Sequence, residues 1–132
     1  MNLKEWANEI HKNSVNHGFW EDDRGFPETV ALCHAELSEA LEEDRSGRPL
    51  VWFKCNDNNS VAECCKCKHC MIDGSCEIHA LNYKPEGIAV EMIDCLIRIL
   101  DWCGRNNIDV DEVVRIKHQY NVARPYKHGK RY

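Results

Sequence analysis

Residues 85–104 carry Ile88, Met92, Ile93, Leu96, Ile97 and Leu100. Only an α-helix gathers residues at that spacing onto one stripe. Three more segments share the period. Residues 2–17 align Leu3, Trp6, Ala7 and Ile10, and residues 27–44 align Val30, Cys33, Leu37 and Leu41. A segment starting at Asp109 aligns Val110, Val113, Val114 and Ile116. The boundaries have chemical reasons. Pro27 suits a first helical position, where its missing N–H costs nothing. Ser46-Gly47-Arg48-Pro49 ends that helix. Asp109 is placed to cap the last helix, three residues before Glu112. No segment alternates convincingly with period two. The pattern predicts an all-α fold of four helices with short connections, hence antiparallel neighbours.

A chain of 132 residues is one domain's worth. Hydrophobic residues make up 43% and charged residues 30%, a globular rather than a disordered balance. The formal net charge of −5 argues against nucleic acid or an anionic membrane as partner. The longest apolar stretch is interrupted by Asp94 and Arg98, so no membrane span is expected. The polar N-terminus lacks the apolar core of a signal peptide, which predicts a cytoplasmic protein. Residues 1–132 therefore read as a single helical domain. It has an insertion at about 50–84 and a basic tail at 122–132.

Two acid pairs stand out. Glu36 and Glu39 lie three apart on the second helix, and Glu91 and Asp94 lie three apart on the third. Each pair projects from one helix face about a turn apart. A single Glu-x-x-Glu is ordinary on a solvated helix surface. A second pair inside the most apolar helix is not. Carboxylates converging in a core repel one another and are costly to desolvate unless a cation compensates. Hard oxygen donors on two helices suit Mg²⁺ or Mn²⁺. A di-iron carboxylate bundle would want Glu-x-x-His on two helices, and the sequence has none. Carboxylate-held Mg²⁺ points to phosphate chemistry.

HAELSEALEEDRSGRP followed by KPEGIAVEMIDCLIRILDWC resembles the MazG-like all-α nucleoside triphosphate pyrophosphohydrolase superfamily, whose hallmark is ExxE on one helix and ExxD on the next. Glu36-x-x-Glu39 and Glu91-x-x-Asp94 match it, and the N-terminal segment and NVARPYKHGK tail also look like small single-domain members. The resemblance covers residues 2–54 and 83–132. It implies a MazG-like four-helix bundle, assembled as a homodimer or dimer of dimers. It also implies Mg²⁺-dependent hydrolysis of nucleoside triphosphates to the monophosphate and pyrophosphate, with Glu36, Glu39, Glu91 and Asp94 as metal-holding catalytic residues. Deoxynucleotides, including non-canonical ones, are the expected substrates, in house-cleaning or pool control. Glu39 is our choice of base for the attacking water. The resemblance places His11 against the nucleobase and Trp20 in stacking contact with it; Trp20 as a packed core or interface aromatic is the alternative. It makes Lys117, Asn121, Arg124, Tyr126, Lys127 and Lys130 phosphate-contacting. Trp52 and Phe53 either line the base pocket or plug the core.

The chain departs from that family between the acid motifs, where residues 40–90 form an unusually long spacer. Six of the nine cysteines fall in it. Cys64, Cys67, Cys70 and Cys76 are the expected ligands of a structural Zn²⁺, with Cys55, Cys65, His69 and His79 as alternates. A segment so poor in aliphatics would draw its folding energy from the metal. An iron–sulfur cluster is a rival, but the last cysteine spacing and the absence of a following proline do not fit; unmetallated or oxidised thiols are the other alternative. Cys33, Cys95 and Cys103 sit among apolar helix neighbours and read as core residues. A metal- or redox-sensing dimeric module built on the cysteine cluster is the alternative function. A nucleic-acid-binding zinc knuckle is weaker, because the segment lacks aromatics to stack bases.

Overall fold

The computed structural model describes residues 1–55, 61–62 and 83–131. These residues are mostly helical. In chain order they form α1 (Leu3–Asn16), α2 (Phe26–Arg45), β1 (Trp52–Cys55), β2 (Val61–Ala62), β3 (Tyr83–Glu86), α3 (Ile88–Arg105) and α4 (Val110–Val122), then a short 3₁₀ turn at Tyr126–Gly129. Among the described residues no helix is long and apolar enough to cross a membrane. The chain divides into two compact units, Met1–Gly25 with Ile97–Tyr132, and Phe26–Leu96.

In the first unit, Asn2 caps α1 through a reciprocal box. Its side chain accepts from the Glu5 N–H at 2.8 Å, and the Glu5 carboxylate accepts from the Asn2 N–H at 2.9 Å. The next free amides of that helix end, Leu3 and Lys4, donate to the Asp111 carboxylate of α4 at 3.2 and 2.9 Å. A carboxylate at a helix N-terminus satisfies orphan donors and complements the helix dipole. Asp109 caps α4, as its position predicts, accepting from the Glu112 N–H at 3.1 Å. Ala7 and Leu100 are buried. A Cβ on Gly104 would collide with the Ala7 carbonyl and the His11 Cβ, so this glycine lets α1 and α3 meet backbone to backbone.

In the second unit a small sheet, which the sequence reading did not expect, is added to a mostly helical chain that stays compatible with the all-α expectation. They form one antiparallel sheet in the order β2-β1-β3, pairing Trp52 with Glu86, Cys55 with Tyr83 and Phe53 with Ala62. Strands of two and four residues are too short to display alternation, so periodicity misses them. The sheet joins residues 52–55 to residues 83–86. Trp52 is buried and donates its indole N–H to Glu43 of α2 at 2.8 Å, with the Arg48 guanidinium 4.3 Å over its ring. It plugs β1 onto α2. Gly87, at φ 115°, turns β3 into α3. A Cβ there would collide with the Leu50 carbonyl, which accepts from the Ala89 N–H at 3.0 Å.

The apolar stripes are a correction. Leu37 and Leu41 of α2 and Met92, Ile93, Leu96 and Ile97 of α3 are exposed, as are Val113, Val114 and Ile116 of α4. The buried face of α2 is instead Thr29, Glu36 and Ala40. In α3, Glu91 and Cys95 turn inward. Periodicity reveals which face is apolar; it does not reveal what covers that face.

Candidate active site

The local spacing of α2 and α3 sets the acids. Glu36 lies four residues before buried Ala40, and Glu91 four before buried Cys95, so both carboxylates are carried on the packed faces of their helices. Glu36 is 7% exposed and Glu91 5%. One carboxylate oxygen from each of Glu36, Glu91 and Asp94 falls within 4.8 Å of the others. Glu39 is exposed and faces, with Glu91, a cleft of about 410 Å³ whose lining includes Ser38, Glu42, Glu43, Lys84 and Glu86.

Burial pushes the Glu91 carboxyl up to about 7, and repulsion from Glu39, Asp94, Glu86 and Glu36 adds to it. Both causes disfavour charge, and a cation in the cluster would offset both. Among the described residues, Lys84 is the ammonium lining the cleft, and its Nζ rests 2.8 Å from Glu86. That hydrogen bond raises the Lys84 pKa; burial opposes the shift, and the charges of Glu86, Glu91 and Asp94 reinforce it. Sequence reading missed Lys84 and Glu86, since they occupy a strand with no helical period to place them. Glu43 is the acceptor that fixes Trp52.

His11 and Trp20 come together in the first unit, on a residue the sequence did not single out. The Asp101 carboxylate lies 2.7 Å from His11 Nδ1 and accepts from Ser14 Oγ at 2.8 Å. The Trp20 indole N–H is 3.0 Å from each of its oxygens. The two rings meet edge-on, with centroids 5.5 Å apart and planes at 72°. The Arg105 guanidinium lies 5.2 Å from the Trp20 ring centroid.

The expected phosphate-contacting residues lie on α4 and beyond it. The Lys117 ammonium and Arg124 guanidinium lie over Tyr120 at 5.0 and 5.7 Å. Asn121 is exposed near the end of the same helix. Tyr126 and Lys127 belong to the 3₁₀ turn, with the ammonium 5.7 Å over the ring, and Lys130 follows it. Cys64, Cys65, Cys67, Cys70, Cys76, His69 and His79 lie outside the described residues, and Cys55 is the last residue of β1. Cys33, Cys95 and Cys103 are in no disulfide; Cys95 is buried, and burial pushes the Cys103 thiol up.

No family model, curated protein or solved structure matches the chain.

Proposed function

We propose that this protein is a Mg²⁺-dependent nucleoside triphosphate pyrophosphohydrolase with a MazG-like helical bundle fold. The observation that carries the reading is the placement of Glu36, Glu91 and Asp94. Three carboxylate oxygens from two helices lie within 4.8 Å of one another, and two of the three residues are buried. Oxygens that close together on two helices would suit a small divalent cation such as Mg²⁺, whose oxygen ligands lie at about 2.0–2.1 Å. The donor set is hard oxygen, which suits Mg²⁺ or Mn²⁺ and disfavours softer ions. The motif residues of the family resemblance are the same acids.

Glu36, Glu91 and Asp94 would hold the metal, with Glu39 at the cleft edge. Bound there, Mg²⁺ neutralises phosphate oxygens and lowers the pKa of a coordinated water. Glu39, exposed on the cleft, accepts the proton of the water that attacks the α-phosphorus. The bond from that phosphorus to the oxygen bridging the β-phosphate breaks, and the electron pair leaves with pyrophosphate. Lys84 sits where it can leave Glu86 for a phosphate oxygen. His11 and Trp20 engage the nucleobase, and Lys117, Asn121, Arg124, Tyr126, Lys127 and Lys130 the phosphates. The cysteine cluster holds structural Zn²⁺, which the zinc content of protein purified without chelators tests. The protein works as a homodimer or dimer of dimers.

Incubation with a panel of ribo- and deoxynucleoside triphosphates and Mg²⁺ tests the reaction. Monophosphate and pyrophosphate are expected in equal amounts, with turnover reduced at least about 100-fold in Glu91→Gln and Asp94→Asn. Absence of turnover across the panel with folded protein contradicts the proposal.

A further inference from the structure

Asp101 is a half-buried carboxylate of α3 with three side-chain donors around it: His11, Ser14 and Trp20. An ionised carboxylate only accepts hydrogen bonds. At 2.7 Å from Asp101, His11 Nδ1 must therefore carry a proton. In the neutral ring the other nitrogen, Nε2, is then an acceptor. Among the described residues Nε2 has no hydrogen-bond partner, and no buried side-chain nitrogen or oxygen there is left unpaired, so Nε2 reaches solvent. The same carboxylate fixes the indole of Trp20 edge-on to the imidazole. A π surface beside an oriented acceptor is a chemical description of a nucleobase contact with a required donor.

We propose that Asp101 is a positioning residue that sets base selectivity: by holding the proton on His11 Nδ1, it makes Nε2 an acceptor. The contact thereby selects nucleobases with an exocyclic amino group, such as adenine and cytosine, over those with a carbonyl there, such as thymine, uracil and hypoxanthine. This rests on the nucleotide reading of the site and adds the class of base to it. A carbonyl facing Nε2 sets two acceptors against each other, and an unpaired buried acceptor is the costly case. Asp101→Ala removes the acceptor that His11 Nδ1, Ser14 and Trp20 share. The proton of the neutral His11 ring is then no longer held on Nδ1, and Nε2 serves as donor or acceptor as the base requires.

The test is binding of dAMP, dCMP, dTMP and dIMP by calorimetry, alongside long-range ¹H–¹⁵N NMR of the His11 ring. The wild type is expected to carry the proton on Nδ1 and to favour dAMP and dCMP by about tenfold, the worth of one hydrogen bond against one mismatch. Asp101→Ala is expected to release the tautomer and abolish the preference. A wild-type His11 protonated on Nε2 or on both nitrogens overturns the proposal, and the NMR measurement decides this even if the variant does not fold. Equal affinity for all four monophosphates, or a variant that weakens all four alike, also overturns it. Because monophosphates are not hydrolysed, the two proposals separate. Selective binding without triphosphate turnover overturns the hydrolase reading and supports this one; turnover without selectivity does the reverse.

Discussion

Glu91 brings the energetics of the site into one side chain. Its carboxyl titrates near 7 when folded, against an ordinary value of 4.5, chiefly because it is buried and secondarily because Glu39, Asp94, Glu86 and Glu36 surround it. Between those values the folded chain binds more protons than the unfolded one, so cation-free protein gains stability on acidification. The favourable contribution is complete below about 4.5 and is lost as the pH rises through 7. A shift of that size corresponds to about 3 kcal/mol at ~1.36 kcal/mol per pH unit, as an order of magnitude. Glu91→Gln removes the titration. In EDTA, wild type minus variant stability should rise by a few kcal/mol between pH 8 and pH 5 in urea denaturation. With Mg²⁺ at pH 8 the wild type should melt higher and the variant should respond much less. A difference that is flat with pH would contradict the burial argument. The acids of the two pairs were legible in sequence because i, i+3 spacing is local. Asp101 was not, because its partners His11, Ser14 and Trp20 are brought to it by packing across most of the chain's length. Lys84 was illegible for a different reason: its place beside the acids depends on the sheet.

At the scale of elements, caps and periodicity located the helices to within a few residues. Asp109 starts α4 by the local hydrogen bond its position predicts, and Asn2 caps α1 by a box the sequence reading did not name. The residue-85 boundary was three residues early, because Tyr83–Glu86 pairs as β3 before the chain turns at Gly87. That turn aims the start of α3, and hence Glu91. Gly87 is left-handed at φ 115° and would meet the Leu50 backbone with a Cβ, whereas Gly47 is left-handed at φ 65° in open space. Gly47→Ala should therefore cost only about 1 kcal/mol of backbone strain. Gly87→Ala should cost more, roughly 2–4 kcal/mol, because strain and collision add. Urea midpoints of the two variants check this. Equal losses would mean that the β3–α3 junction yields freely and does not set the direction of α3.

For the whole molecule, the distribution of apolar residues is the main physical problem. Acids occupy packed faces of α2 and α3 while Leu37, 43% exposed, and Ile93, 52% exposed, meet solvent. Exposed aliphatics on several helices are unusual for a monomer and mark an association surface. A second copy is the economical cover, since a two-fold interface buries the same patch on both chains. The protein should sediment as a dimer or dimer of dimers at micromolar concentration, and Leu41→Glu with Ile97→Glu should shift it toward monomer. A wild type that sediments as a monomer would contradict this reading. The hydrophobic pattern announced these stripes but placed them in the core, because periodicity shows which face is apolar and not what lies against it.

The central claim is that Glu36 of one helix and Glu91 and Asp94 of another jointly hold a divalent cation. Electron paramagnetic resonance titration with Mn²⁺, displaced by Mg²⁺, measures it directly. Glu36→Gln, Glu91→Gln and Asp94→Asn should each weaken Mn²⁺ binding at least about tenfold, or ~1.4 kcal/mol. Wild-type affinity retained in the Glu36 variant, or in both α3 variants, would contradict a shared site.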